Sequence, residues 1–304
     1  MRAALMTNYG GPEVLQLGEA PKPEPGPGEL RVRTGAVGVN PADWKWRSGW
    51  FTALVQFSFP HILGYDVAGV VDALGDGVTD LAVGDRVVSM TSSSAQGAYA
   101  EYVVVAAGAT AKIPSNLDFA TAAALPTPGL TGVQLVEECI RPSADQTVLV
   151  TGAVGGVGRF SLHAAKRLGA RVVAAVRAGQ AAEARALGAD EVFALGEGDW
   201  SGPLFDAVAD TIGGPEVAKL CRHVKPGGKI ATVSTTPIDA EGLPSKPEFF
   251  AYHADRVRLA QLAEAAARGE LPVPVAKRLP LAQAGEAHRL VEGGGLGGKV
   301  VLEP

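Results

Sequence analysis

The chain has 304 residues, 47% of them hydrophobic and 19% charged, with a formal net charge of -5. That length predicts two domains, and a mildly acidic balance with no Lys/Arg run or basic stripe argues against a nucleic-acid partner. Cys139 and Cys221 are the only cysteines, too few for a disulfide framework, and no run approaches the roughly 18 apolar residues of a membrane span. The first ten residues turn polar too soon for a signal peptide, so a soluble cytoplasmic protein without a membrane partner is expected.

Residues 1 to about 115 read as mostly β. Short apolar runs such as 30–33 and 67–71 are separated by turn clusters, and the proline-rich stretch 21–28 is predicted to be an extended surface loop. A strand is predicted to start from the turn at Gly84-Asp85, and 97–105 is predicted as another, longer strand. Trp44 and Trp46 stand two apart and, if extended, share one face, with Trp50 and Phe51 nearby. Composition then changes. An alanine-rich helix is expected over 118–125, an interruption at Pro126-Thr127-Pro128-Gly129, and a further helix over 131–139.

From there strands and helices alternate. Strands are predicted at 148–151, 172–176, 191–194, 207–211 and 229–234, with helices near 157–168, 180–187 and 214–224. Alternation of this kind predicts a doubly wound parallel sheet. Its first unit carries the chemistry. An apolar run ends in the loop Gly152-Ala153-Val154-Gly155-Gly156-Val157-Gly158, and a periodic helix and a second apolar run follow. Strand, glycine turn, helix and strand form the βαβ unit that holds a dinucleotide pyrophosphate. The helix start offers free N–H groups and partial positive charge, and glycine lets the diphosphate come close. A helix over 254–268 and another starting near 280 precede a last strand at 298–302, which is expected to return to the N-terminal β region.

These motifs together resemble the medium-chain dehydrogenase/reductases, in the zinc-free quinone oxidoreductase (zeta-crystallin-like) branch. The match runs through Gly11-Pro12-Glu13-Val14-Leu15, Val39-Asn40-Pro41-Ala42-Asp43, Gly64-Tyr65-Asp66-Val67-Ala68-Gly69 and Val83-Gly84-Asp85-Arg86-Val87. It continues through Ala123-Ala124-Leu125-Pro126, the glycine loop, Leu187-Gly188-Ala189-Asp190, 210–214 and Gly298-Lys299-Val300-Val301. The resemblance implies an α/β protein: a GroES-like, mostly β catalytic domain over 1–115 and 270–304, and a Rossmann cofactor domain over 116–269. It places the active site in the cleft between them and implies a homodimer joined through the edge of the Rossmann sheet, around 246–252.

Zinc-dependent relatives carry a cysteine at the position of Asn40 and a histidine at that of Tyr65, neither of which can ligate zinc normally here. The stretch 90–97, where a structural zinc lobe would lie, contains no cysteine. A metal-free enzyme is therefore expected. In NAD-specific relatives an acid follows the second strand; here Arg177 stands there, nineteen residues past Gly158, suited to a 2′-phosphate. That favours NADPH, with Gln180 where the family often adds a lysine. The resemblance also implies cofactor contacts from Thr131, Ala153, Val154, Gly155, Gly156, Val157, Gly158, Thr211, Ser234, Thr235 and Lys299.

Without a Lewis acid, hydride is best delivered to a quinone or to the β-carbon of an enone, where the developing oxyanion needs only hydrogen-bond donors. Asn40, Tyr65, Lys45 and Thr127 are the candidate donors, Asn40 first among them. The aromatics near Asn40 are suited to stacking on a flat acceptor. An enoyl-thioester reductase or a biosynthetic ketone or ene reductase of the same family is a second reading. A non-catalytic NADPH-binding protein is a third.

Overall fold

The computed structural model describes residues 1–92 and 96–304, so Ser93, Ser94 and Ala95 of the cysteine-free stretch 90–97 lie outside the described residues. The chain divides into two units, Met1–Thr127 with Ala254–Pro304, and Pro128–His253. These joints differ from the expected domain limits. Residues 116–127 and 254–269, expected with the cofactor domain, belong to the first unit. The helix Phe119–Ala123 packs on the strands Glu29–Val39 and Asp66–Leu74, and the helix Arg256–Ala267 packs on Arg86–Met90 and Ala111–Lys112. Ala120, Ala122, Ala123, Leu259 and Leu262 are buried by that packing. Helical periodicity shows that such a face must be covered, but not which sheet covers it.

In the first unit, alternating apolar residues build a seven-stranded sheet in the order Val275–Pro280, Lys299–Glu303, Glu29–Val39, Asp66–Leu74, Arg86–Met90 and Ala111–Lys112, with Tyr102–Ala106 also paired to Glu29–Val39. The last strand of the chain does return to the N-terminal region, antiparallel to Glu29–Val39 with Val300 opposite Val39. A three-stranded sheet, Leu15–Glu19, Arg2–Met6 and His61–Ile62, completes this unit.

The predicted strand over 97–105 is regular only from Tyr102 to Ala106. Before it, the backbone of Ala98 and Tyr99 donates to the carbonyls of Gly64 and Leu63, and Ala4 donates to Tyr99. Tertiary pairing to two separate segments has replaced one straight ladder. Gly64 makes this possible, because it has a φ of +101° and any Cβ there would lie 2.4 Å from the Tyr99 ring. Gly64→Ala is expected to cost about 2–4 kcal/mol, combining left-handed strain with overpacking. Urea unfolding measures it, and a loss below about 1 kcal/mol would contradict this account.

The second unit is a six-stranded parallel sheet in the order Glu191–Ala194, Arg171–Val176, Thr147–Thr151, Phe205–Asp210, Val224–Thr232 and Glu248–Phe249. The chain winds outward in both directions from Thr147–Thr151, so the switch point lies between that strand and Phe205–Asp210. Ligands of open α/β sheets bind at the carboxyl ends there. The expected break at 126–129 is instead the start of a helix, Pro126–Gln134. Proline at a first helical position loses only an N–H that would be unpaired anyway. A π-helical stretch, Leu135–Ile140, continues it.

Among the described residues no helix is long and apolar enough to cross a membrane.

Candidate active site

In the second unit, the strand Thr147–Thr151 ends in the glycine turn, and the helix Gly158–Arg167 begins with no side chain capping it at Val157. Its first-turn N–H groups are thus not claimed by a side-chain cap. Gly158 is required by close approach, since a Cβ would sit 2.1 Å from the Gly152 carbonyl. At Gly156 the space is open and the residue is exposed, with only Pro128 Cβ as near as 4.0 Å. Internal packing does not demand that glycine. Ala153 and Val154 are buried beneath the turn. Arg159, buried, braces it from within: its guanidinium donates to the Val154 carbonyl at 2.6 Å and the Gly155 carbonyl at 3.3 Å, and pairs with Glu183 at 3.1 Å. Burial pulls its pKa down and Glu183 opposes that. The loop motif flags the residues around Arg159 but not this brace, which depends on a side chain folding back.

Asp210 ties the switch point together. Fully buried, it accepts from Thr151 Oγ1 at 2.6 Å, Thr232 Oγ1 at 2.5 Å, and the Ile212 and Gly213 N–H groups at 3.0 Å each. Three neighbouring strand ends are locked by one carboxylate. Thr211 Oγ1 donates to the Thr151 carbonyl at 2.7 Å, and Ser234 Oγ donates to the Ile212 carbonyl at 2.7 Å. Both hydroxyls therefore shape the strand ends, while Thr235 is exposed and Thr131 is buried. Arg177 follows the strand Arg171–Val176, exposed, and no carboxylate pairs with its guanidinium among the described residues. Gln180 closes the turn, with its Oε1 accepting from the Arg177 N–H at 3.1 Å.

In the first unit three strand ends bring polar groups into one buried cluster. Asn40 follows Glu29–Val39, Asp66 opens Asp66–Leu74 opposite Gly38, and Lys299 opens Lys299–Glu303 one step beyond the Val300–Val39 pair. Asn40 Nδ2 donates to Asp66 Oδ2 at 2.8 Å, and Lys299 Nζ donates to Asn40 Oδ1 and lies 3.6 Å from Asp66 Oδ2. Thr127 supplies its N–H at 3.0 Å and its hydroxyl at 2.6 Å to Asp66 Oδ1. Burial pushes the Asp66 carboxyl up and the Lys299 ammonium down, and their mutual attraction opposes both shifts.

A second chain of contacts leads away from Asn40. Asp43, fully buried at the start of the helix Pro41–Arg47, accepts from the Asn40 N–H at 2.7 Å and from the Tyr99 hydroxyl at 3.1 Å. Tyr99 meets His288 Nε2 at 3.0 Å, and His288 Nδ1 faces Arg47 Nη1 at 3.4 Å. Arginine can only donate. His288 Nδ1 must then accept, so the ring proton sits on Nε2 and is given to Tyr99, whose own proton goes to Asp43.

Burial raises Asp43 to about 7, and burial with the Arg47 charge lowers His288 to about 3. Asp43 keeps a proton that the unfolded chain releases above its ordinary 3.8, so its contribution falls as pH rises to about 7. His288 refuses a proton that the unfolded chain binds below 6.5, so its contribution falls as pH drops. Each slope is at most about 1.4 kcal/mol per pH unit, and the two oppose each other between roughly pH 4 and 6.5. Asp43→Asn should therefore leave a stability that climbs through this window, and His288→Gln one that declines. Urea midpoints against pH test this; parallel profiles for both variants and the parent would refute it.

Residues 26–115 match the family model described as the alcohol dehydrogenase GroES-like domain, and residues 187–302 match the one described as zinc-binding dehydrogenase. A 2-haloacrylate reductase from Burkholderia sp is 30% identical, with 99% of this chain and 98% of that one covered. The Homo sapiens quinone oxidoreductase is also 30% identical, over 99% of this chain and 97% of its own. The chain belongs to the medium-chain dehydrogenase/reductase superfamily, in its quinone oxidoreductase branch. A mycobacterial member solved in complex with NADPH is similar in structure, with a TM-score of 0.84 at 32% identity and full coverage of both chains.

For this medium-chain dehydrogenase/reductase the fold joins a GroES-like domain to a Rossmann-like parallel sheet. Of the four candidate donors, Asn40 and Thr127 meet on Asp66. Tyr65 is buried and borders a small crevice with Phe57, His61 and Thr91. Lys45 lies over the Trp50 ring at 5.0 Å and the Trp44 ring at 5.7 Å, and burial lowers its pKa. Trp44 and Trp46 do not share a face. They sit on a helix, where two residues turn through about 200°. Trp46 is buried against Phe51 and Phe57, and Trp44 faces Trp50, which is exposed. Lys299, expected as a cofactor contact, has its ammonium turned to Asn40 and Asp66. Among the described residues no three His, Cys, Asp or Glu side chains cluster as metal ligands do.

Asp43, Asp66 and Asp210 lie outside the candidate residues that the sequence points to, although each stands in a family motif beside one of them; an acid inside an apolar run is itself a signal of a buried partner.

Proposed function

We propose that this protein is an NADPH-dependent, zinc-independent reductase of quinones or α,β-unsaturated carbonyl compounds. The observation that carries the reading is an open, uncapped glycine turn together with Arg177 at the next strand end, exposed and with no carboxylate on its guanidinium among the described residues. The turn suits a pyrophosphate and the guanidinium suits a 2′-phosphate. When bound, NADPH supplies the hydride.

The chain's own residues do the rest. The backbone N–H groups of Gly156, Val157 and Gly158 bind the diphosphate, those of Arg159, Phe160 and Ser161 being already given to the Gly155 and Val157 carbonyls, and the Arg159 side chain holds the turn in shape. Asn40 donates from Nδ2 to the acceptor oxygen as negative charge develops there, and solvent supplies the proton that completes the reduction. Asn40 and Tyr65 stand where zinc-dependent relatives carry ligands, and an amide and a phenol are poor ligands for zinc. Similarity to a 2-haloacrylate reductase and to a quinone oxidoreductase supports conjugated acceptors for this chain too. The edge strand Glu248–Phe249, with Phe249 64% exposed, supports a homodimer through that edge, which light scattering tests.

The decisive experiment mixes the purified protein with NADPH or NADH and a panel of quinones, enones and enoyl thioesters, before and after chelation. Loss of reduced-cofactor absorbance with quinones or enones, unchanged by chelator, is expected. Tight NADPH binding without turnover would favour a binding protein, and turnover confined to thioesters would favour the enoyl-thioester reading.

A further inference from the structure

We infer that Lys299 is a positioning residue: with Asp66 it holds the Asn40 carboxamide in one orientation, leaving an Nδ2 hydrogen to donate to the acceptor. The inference rests on the role just proposed for Asn40. A carboxamide has two ends of nearly equal size, and a half-turn exchanges its donor for its acceptor. Lys299 Nζ can only donate, and the Asp66 carboxylate can only accept. With Oδ1 toward Lys299 and Nδ2 toward Asp66 both contacts are satisfied. The half-turn would set N–H groups against the ammonium and an oxygen against the carboxylate.

The clamp is itself held. Thr127 fixes the second oxygen of Asp66 through two hydrogen bonds, and the backbone register places all three residues at adjoining strand ends. Gly38 is demanded first by the Ala123 carbonyl, 2.2 Å from where a Cβ would lie, and the lysine stem passes beside it with Cε at 3.1 Å from the same point. The Lys299 side chain is 11% exposed and that of Asp66 is 0%, so water competes little with these bonds. Among the described residues Asn40 Nδ2 makes one hydrogen bond, to Asp66, and has a second hydrogen to give. A residue near the C-terminus thereby sets the chemistry of one near the N-terminus.

The test is a double-mutant cycle in the full chain, with NADPH and an accepted quinone. Lys299→Met should lower kcat about tenfold to a hundredfold in the parent, leave KM for NADPH unchanged, and have less than about a twofold effect in an Asn40→Ala background. Independent, multiplying losses would overturn the inference, because Lys299 would then act on its own; so would a changed KM for NADPH with kcat intact. If Lys299→Met does not fold, the charge-free pair Asp66→Asn/Lys299→Met serves instead, with the same loss expected and full activity overturning it. Side-chain amide hydrogen exchange of Asn40, read by NMR, needs no turnover: it should quicken about tenfold or more when the clamp is removed. Unchanged exchange would refute the clamp. Absence of turnover in the parent would refute the redox reading alone.

Discussion

Replacing Asp66 by alanine is expected to destabilise the protein by about 3–5 kcal/mol, among the largest effects of any single polar substitution in the first unit. The carboxylate is fully buried and accepts from Asn40 and twice from Thr127, with the Lys299 ammonium 3.6 Å away. Removing it leaves a buried ammonium without its counter-charge and takes an acceptor from the Asn40 amide and from the hydroxyl and N–H of Thr127. Taking away both charges with Asp66→Asn/Lys299→Met should cost distinctly less, because no uncompensated charge is left behind. Urea unfolding of the three proteins decides the matter. A loss below about 1 kcal/mol for Asp66→Ala would mean that the buried pair is not charged as described.

Arg177→Ala is expected to raise KM for NADPH about tenfold to a hundredfold while leaving KM for NADH within about twofold. Charge-assisted hydrogen bonds to a phosphate contribute roughly 1.5–3 kcal/mol, which sets that range. The substitution should be silent in stability, since Arg177 is exposed and its guanidinium pairs with no carboxylate among the described residues. This separates it from Arg159, whose replacement would release the carbonyls of Val154 and Gly155 and loosen the turn for both cofactors. Steady-state kinetics with each cofactor checks it. An unchanged KM for NADPH would remove Arg177 from the phosphate site.

Much of the second unit was legible in the chain because its code is local. Each strand of Thr147–Thr151, Arg171–Val176 and Phe205–Asp210 is a short apolar run bounded by turn residues, and the helices between carry their own period. The glycine turn is readable for the same reason: Gly158 must be glycine because of a carbonyl six residues earlier in the same segment. The position of Arg177 could be counted along the chain.

The cluster around Asp66 could not be counted. Residues 40, 66, 127 and 299 are remote in sequence, and only the antiparallel registers of three strands decide that Asn40, Asp66 and Lys299 meet. Lys299 is the clearest case. A lysine before an apolar strand reads as an exposed or ligand-facing cation, yet the partner strands bury it against an acid and an amide. The irregular course of 97–101 and the attachment of 116–127 and 254–269 to the first unit have the same origin. Period and propensity determine which face of a segment must be covered; long-range pairing determines what covers it. The sequence by itself thus determined the two β and α/β halves, the family and the glycine turn, whereas the tertiary structure alone decided which buried charges hold Asn40.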